Sequence, residues 1–359
     1  MKNVSVVLPY ANPHVLDWVL KMEEVNLNIG CFKSTQVYRP GYFFEYDEID
    51  NVKYFYKSKQ ALTSFTDELK GADVLITLGI FDVNLLRLRK YCKKDVKVIV
   101  MSEPFNSINS TRKIFLRKLW SLVFRNFFTD ISFFCMGGTA VKDYYEELGF
   151  VNSKYYNFGY FPDLKFSKPI LKNKCDIVKL GFLGQFIPRK GVDRLIDLIT
   201  YLSNTEFKFE FEIVGDGFLK DNILSTLNGL DDKRFYYSGL ANSKAGVEIF
   251  LEGLDILFVP SYFDGWGAVI NEALSKSCAI VSSNQVFAAR SIFGERNSCV
   301  FETDYVSIFD SLLSSYVLIN EMKINNCRLF DIWNSSNAAN EVECFLNQKD
   351  YEFKILNEL

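Results

Sequence analysis

Histidine is almost absent: His14 is the only one in 359 residues. A histidine-built metal centre is therefore not expected. The eight cysteines, at positions 31, 92, 135, 175, 278, 299, 327 and 344, are scattered and form no Cys-x-x-Cys pair. That spacing offers neither a metal knuckle nor a disulfide framework. Cys135 and Cys278 stand in apolar runs, where cysteine serves as a small core hydrophobe. With no secretory leader at the start, a reducing cytosolic setting is the expectation. No apolar run approaches the roughly 20 residues needed to span a bilayer. Internal repeats, low-complexity tracts and a clear Asp-x-Asp pair are also missing.

What is present is a chain that is 48% hydrophobic and 16% aromatic, enough for a substantial core. Its length suits two domains. The formal net charge of -3 does not point to nucleic acid. The charge is uneven, however: residues 1–170 hold 23 Lys+Arg against 18 Asp+Glu, and the remainder holds 18 against 26. A basic first half is suited to facing an anionic surface.

Short apolar runs of strand type alternate with helical periodicity, which predicts α/β architecture with parallel sheets. First-half strands are expected at Val4–Leu8, Val74–Leu78, Val96–Met101 and Ile131–Cys135, with Tyr155–Tyr160 closing the sheet. Thr139 is placed as the N-cap of a helix through Leu148, with Gly149 at its C-terminal end. Residues 161–176 lose periodicity and carry two prolines, as an interdomain linker would. A second alternating unit follows, with strands at Val178–Leu183, Phe207–Val214, Phe235–Tyr237, Ile256–Val259 and Ala279–Ser282. Helices are expected at Val192–Leu202, Leu219–Leu227, Ala245–Leu251 and Ala268–Lys276, and the tail from Asp304 reads as mainly helical. The domains are set at 1–165 and 166–335, with 336–359 a helical tail that packs back on the first.

The most informative segment is Pro260–Leu274, in which Asp264 and Glu272 stand eight positions apart. A buried parallel strand runs into a Gly265-Trp266-Gly267 loop, then into a helix carrying Glu272. Open α/β sheets bind ligands at the carboxyl ends of their strands. Free N–H groups and the helix dipole favour a phosphate there, and glycine lets the backbone come close to it.

Two further blocks accompany it: Gly181-Phe182-Leu183-Gly184-Gln185-Phe186-Ile187-Pro188-Arg189-Lys190-Gly191, and Phe211-Glu212-Ile213-Val214-Gly215-Asp216-Gly217. In this order and spacing the three blocks resemble the large group 1 family of retaining, nucleotide-sugar-dependent glycosyltransferases of the Glu-x7-Glu type. The resemblance covers residues 178–283 and thins out before them. It implies a GT-B fold, with two doubly wound, Rossmann-like domains facing across a cleft. The implied reaction is transfer of a hexosyl unit from a nucleoside-diphosphate sugar to a hydroxyl of a glycan acceptor, lipid-linked, in cell-surface polysaccharide assembly such as lipopolysaccharide or capsule. No cofactor and no metal are implied.

By the resemblance Lys190 binds the sugar donor's pyrophosphate, with Arg189 beside it; Gln185 stands where the family has its second cation. Gly184, Gly215 and Gly217 lie near the phosphates. Asp264 takes the place of the first family glutamate, at the hexose. Glu272 holds the ribose hydroxyls, while Gly265, Trp266, Gly267, Ala268 and Val269 form the cradle. In the first half, the loop Pro9–His14 lacks the usual glycine, and Ser102 and Glu103 stand where relatives carry a histidine. Glu103, at a strand end, suits sugar hydrogen bonding or acid–base work.

Residues 111–128 interleave Arg112, Lys113, Arg117, Lys118 and Arg125 with Ile114, Phe115, Leu119, Trp120, Val123 and Phe124. Such a helix either lies peripherally on an anionic leaflet or packs in a core with one basic face. Two alternatives to transfer stand beside it: a sugar-nucleotide epimerase on the same fold, and an inactive glycan-binding or scaffolding relative.

Overall fold

The computed structural model describes residues 1–34, 49–105, 111–173, 176–241, 243–293, 298–347 and 352–359. Contacts divide the chain into two units, Met1–Asp163 with Asn334–Leu359, and Leu164–Trp333. Each is an α/β unit built on one parallel sheet. Among the described residues no helix is long and apolar enough to cross a membrane.

Unit 1 runs β1 (Lys2–Tyr10), α1 (Pro13–Val19), β2 (Val25–Lys33), β3 (Val52–Tyr54), α2 (Lys59–Leu69), β4 (Val74–Leu78), α3 (Val83–Leu88), β5 (Lys97–Ser102), α4 (Thr111–Phe127), β6 (Asp130–Met136), α5 (Thr139–Glu147) and β7 (Lys154–Phe158). The seven strands lie in the order β3-β2-β1-β4-β5-β6-β7, all parallel. Helices cover the sheet, so its middle strands are apolar on both faces. Val98, Val100, Phe133 and Cys135 pack with Phe124, Phe128, Val141 and Tyr145.

The expected strands are there, but β2 and β3 were not anticipated. Asn26 and Asn28 interrupt the apolar run of β2. The buried Asn28 is satisfied by donating to Ser5 Oγ (3.2 Å) and Phe65 O (3.0 Å) and accepting from Lys53 Nζ (2.8 Å). The cap of α5 is also corrected. Gly138 (φ 60°) is the N-cap and Thr139 the first helical residue, because the turn after β6 needs a left-handed φ that threonine resists.

The C-terminal segment belongs to unit 1. Helix α13 (Ser335–Asn347) carries the buried Glu341, whose carboxylate accepts the N–H groups of Lys354 (2.6 Å), Ile355 (2.9 Å) and Leu356 (2.7 Å). The last residues then run antiparallel along β7, with Asn157 N–H donating to Asn357 O and Leu359 N–H to Tyr155 O, both at 2.9 Å. This pairing covers an otherwise open sheet edge.

Unit 2 runs β8 (Val178–Leu183), α6 (Val192–Ser203), β9 (Phe209–Val214), α7 (Lys220–Leu230), β10 (Phe235–Gly239), α8 (Lys244–Glu252), β11 (Ile256–Val259), α9 (Val269–Ser275), β12 (Ala279–Ser283), α10 (Phe287–Ile292), β13 (Cys299–Phe301), α11 (Val306–Ser314) and α12 (Tyr316–Phe330). Its six parallel strands are ordered β10-β9-β8-β11-β12-β13. The three-residue β13 is the strand that the sequence pattern missed. Leu180, Phe182, Phe211, Ile213, Ile256 and Phe258 form the sheet side of the core against Leu195, Leu198, Ile199 and Leu202 of α6.

Candidate functional site

Strands β8 and β11 are neighbours, and from them the chain winds outward in opposite directions. That reversal opens a crevice at their carboxyl ends. The loops after β8 and β11 carry the first and third sequence blocks, so unit 2 brings both to one place.

The second block supports this place through its backbone. Gly184 N–H donates to Val214 O (3.1 Å), Phe186 N–H to Asp216 O (2.8 Å) and Leu219 N–H to Phe186 O (3.0 Å). A Cβ on Gly215 (φ 152°) would stand 1.9 Å from Gly184 O, and one on Gly217 (φ 154°) 2.6 Å from Phe186 O. Both glycines are thus required by loop-against-loop packing. Gln185 is exposed on this zipped pair.

The turn Pro188–Lys190 presents the cations, and Gly191 (φ 71°) turns the chain into α6. Arg189 Nη1 donates to Phe263 O (2.8 Å) and lies 3.4 Å from Asp264 Oδ1, while Lys190 Nζ pairs with Asp264 Oδ2. Asp264 is therefore ion-paired to two cations, one from each side of its carboxylate, and the cluster keeps one net positive charge. Tyr262 N–H donates to Arg189 O (2.9 Å), tying the two loops together. Arg194, which motif reasoning passed over, adds a third tie. Its Nη1 donates to Pro260 O (3.1 Å) and its guanidinium lies 3.9 Å from the Tyr262 ring centre, while Tyr262 OH donates to Asp193 (2.5 Å). A cation in the first turn of a helix opposes the dipole, and that oddity was the signal for it.

Beyond Asp264 the loop is fastened to the segment after β12: Asp264 N–H donates to Gln285 O (3.0 Å) and Ala288 N–H to Trp266 O (2.9 Å). The Trp266 side chain is turned into the core, stacked on Trp333 with Nε1 donating to Asn271 Oδ1 (2.7 Å), so only its backbone lines the loop. Gly267 (φ 91°) lets the chain pass Val286, whose Cγ1 a Cβ would meet at 2.5 Å. Gly265, Ala268 and Val269 are partly exposed there. Helix α9 then starts at Val269, with no side-chain cap.

Glu272, one turn into α9, is half-buried. Burial pushes its carboxyl up to about 7, Glu248 adds to the effect, and the charges of Lys244 and Lys190 oppose it. Lys190 thus acts electrostatically on both acids of the third block. An acid whose pKa is raised by burial beside a cationic loop is a candidate ligand site.

In unit 1, Glu103 follows β5 and accepts a hydrogen bond from Tyr160 OH. His14 stacks on the same Tyr160 ring, with centroids 4.8 Å apart. Strand ends β1, β5 and β7 therefore contribute to one cluster. Asn12 caps α1 by accepting from His14 N–H at 3.0 Å, which a glycine in the Pro9–His14 loop could not do.

This is the architecture of the GT-B glycosyltransferases. The outer-core lipopolysaccharide galactosyltransferase WaaB, in its apo form, superposes with a TM-score of 0.63 at 13% identity, over 96% of this chain and 99% of that one. HepE of Anabaena, solved with UDP, gives 0.68 at 12% identity, over 97% and 100%. These likenesses concern the fold. The family of Glycosyl transferases group 1 matches residues 178–315, the segment that carries all three blocks. An uncharacterised glycosyltransferase of Methanocaldococcus jannaschii is 32% identical over 125 residues, covering 33% of this chain and 32% of that protein. The chain thus aligns with about a third of that relative, and it spans 55% of TarM of S. aureus, whose structure it matches with a TM-score of 0.56 at 14% identity.

Proposed function

We propose that this protein is a retaining hexosyltransferase, moving a sugar from a nucleoside diphosphate to a hydroxyl of a lipid-linked glycan acceptor in cell-surface polysaccharide assembly. The observation that carries this reading is the convergence of Lys190, Arg189, Asp264 and Glu272 where the strand order of unit 2 reverses. The supporting likenesses are the group 1 family match, HepE with bound UDP and WaaB as a lipopolysaccharide galactosyltransferase.

In the mechanism, the leaving group is a nucleoside diphosphate, and catalysis chiefly stabilises its developing negative charge. Lys190, Arg189 and the N–H groups at the start of α9 supply that stabilisation, and no metal is needed. The pyrophosphate competes with Asp264 for its two cations. Once released, the Asp264 carboxylate accepts hydrogen bonds from hexose hydroxyls. Glu272 accepts the ribose hydroxyls, and the approach of hydroxyls and cations favours its ionised form. Gln185 takes no part in the cation clamp; Arg189 replaces the arginine expected at its position. Glu103, held by Tyr160, acts on the acceptor side. The enzyme works in the cytosol, at the inner face of the cell membrane.

The test is a thermal-shift panel with UDP, GDP, ADP and their common sugars, using Glu272→Ala and Lys190→Ala as controls. A ligand that binds only the native state at a hundred times its Kd stabilises by about 2.7 kcal/mol. Stabilisation by one nucleotide, lost in both variants, supports the reading and names the base. No shift with any nucleotide sinks it and favours the inactive relative. Turnover of the sugar nucleotide without acceptor, yielding an isomer, favours the epimerase.

A further inference from the structure

Helix α4 has two apolar faces. One packs into unit 1, where Phe124, Phe128 and Trp120 join the core and Ser121 is buried. The other faces solvent: Phe115, Leu116, Leu119, Leu122, Val123 and Phe127 are 40–61% exposed. At 3.6 residues per turn these six form one stripe about 140° wide. An exposed apolar patch of this kind marks an interaction surface.

The cations of the helix do not face that stripe as a group. Arg117 donates to Tyr144 OH (2.9 Å) and sits 4.7 Å from the Phe105 ring centre. Arg125 donates to the Gly149 carbonyl, and Lys118 pairs with Glu147 (3.1 Å). The basic patch comes instead from Arg87-Leu88-Arg89-Lys90-Tyr91-Cys92-Lys93-Lys94. Arg89 fastens this segment to the end of α4. Its Nε donates to Phe127 O (2.6 Å), and its other nitrogens donate to the carbonyls of Cys92, Lys93 and Lys94. Arg87, Lys90 and Lys94 are exposed on the segment that Arg89 fastens to the end of the helix, and Lys113 is exposed two residues before the first apolar residue of the stripe.

An apolar stripe with cations at both ends fits one occupant, an anionic phospholipid surface. A second copy of the chain fits poorly, since pairing the stripes in either direction sets cations against cations. We propose that unit 1 docks on an anionic bilayer by laying the exposed face of α4 into the interface, with Arg87, Lys90 and Lys94 on the lipid headgroups. This deepens the lipid-linked reading above and rests on it only for the whereabouts of the acceptor.

The experiment is flotation of the full chain with vesicles of mixed phosphatidylglycerol and phosphatidylcholine, or of phosphatidylcholine alone. The wild type is expected to float with the mixed vesicles and far less with the neutral ones. Leu119→Ser/Leu122→Ser removes several carbons that would enter the bilayer interface and should weaken binding by roughly tenfold or more. Lys90→Glu/Lys94→Glu should weaken it similarly, and only while salt is low. All these residues are exposed, so both variants should keep the wild-type melting temperature and nucleotide response. No flotation of the wild type, equal flotation of the variants, or a dimer that Leu119→Ser/Leu122→Ser makes monomeric would overturn the proposal. Vesicle binding is read without sugar nucleotide. A chain that floats but transfers nothing, and one that transfers but stays in solution, are therefore told apart.

Discussion

Gly191→Ala perturbs the hinge between the cation turn and α6. Gly191 holds φ 71° and ψ 41°, and its carbonyl already accepts the first helical hydrogen bond, from Leu195 N–H at 3.0 Å. A left-handed conformation costs an L-residue about 1–2 kcal/mol. The added methyl carbon would also stand 2.2 Å from Pro260 O and 2.8 Å from Pro260 C. Those atoms are backbone at the end of β11, so relief requires the loop bearing Asp264 to move. Strain and displacement together should cost roughly 3 kcal/mol, in the upper range for single substitutions. For a unit of this size that is a fall of roughly 6–12 °C in melting temperature. Thermal shift measures it, and the same scan with nucleotide should show a weakened response, because Lys190 and Arg189 precede the hinge directly. Gly229→Ala is the control: in α7 its methyl would meet nothing within 4 Å, and the change should stabilise by about 0.5–1 kcal/mol. A Gly191→Ala loss below about 2 °C would show that the two loops are not locked together and would refute the reasoning.

Glu272→Gln should raise the melting temperature of the ligand-free protein at pH 8 and abolish nucleotide stabilisation. Burial lifts the folded-state pKa from 4.5 to about 7, so between these values the native state holds more protons than the unfolded chain and loses stability as pH rises. The advantage of the variant should therefore appear above about pH 4.5 and level off above about pH 7; a difference constant with pH would contradict it. Lys323→Met removes a buried partner 2.8 Å from Asp255 Oδ1, leaving Lys172 at 3.0 Å. A loss of roughly 3 kcal/mol is expected in urea titration, with the double variant Lys323→Met/Asp255→Asn milder than the single. Glu341→Gln weakens the hold on three backbone N–H groups and should expose the C-terminal residues to carboxypeptidase faster than in the wild type.

Sequence alone determined the alternation of strands and helices, since buried parallel strands are apolar runs that need no partner to be read. It found Ile256–Val259 to the residue, and it singled out Lys190, Asp264 and Glu272, because glycines, prolines and charges at loop positions are written locally. Strands β2, β3 and β13 escaped it. β2 carries an asparagine satisfied by residues distant in sequence, and the other two are three residues long. How the residues of the candidate site pack was decided by tertiary structure. Gly215 and Gly217 look like phosphate-loop glycines in one dimension, yet each is required by a carbonyl more than 30 residues away in sequence. Trp266 stands in the cradle by position and in the core by packing. The proposed membrane-docking surface moved most. Interleaved charges on residues 111–128 suggest a basic helix, but Arg117 and Arg125 are drawn to Tyr144 and Gly149. Exposed cations at the far end of the apolar face come instead from residues 87–94, joined to it through Arg89. Periodicity reports which side chains share a face; which face is covered, and by what, depends on contacts between distant segments.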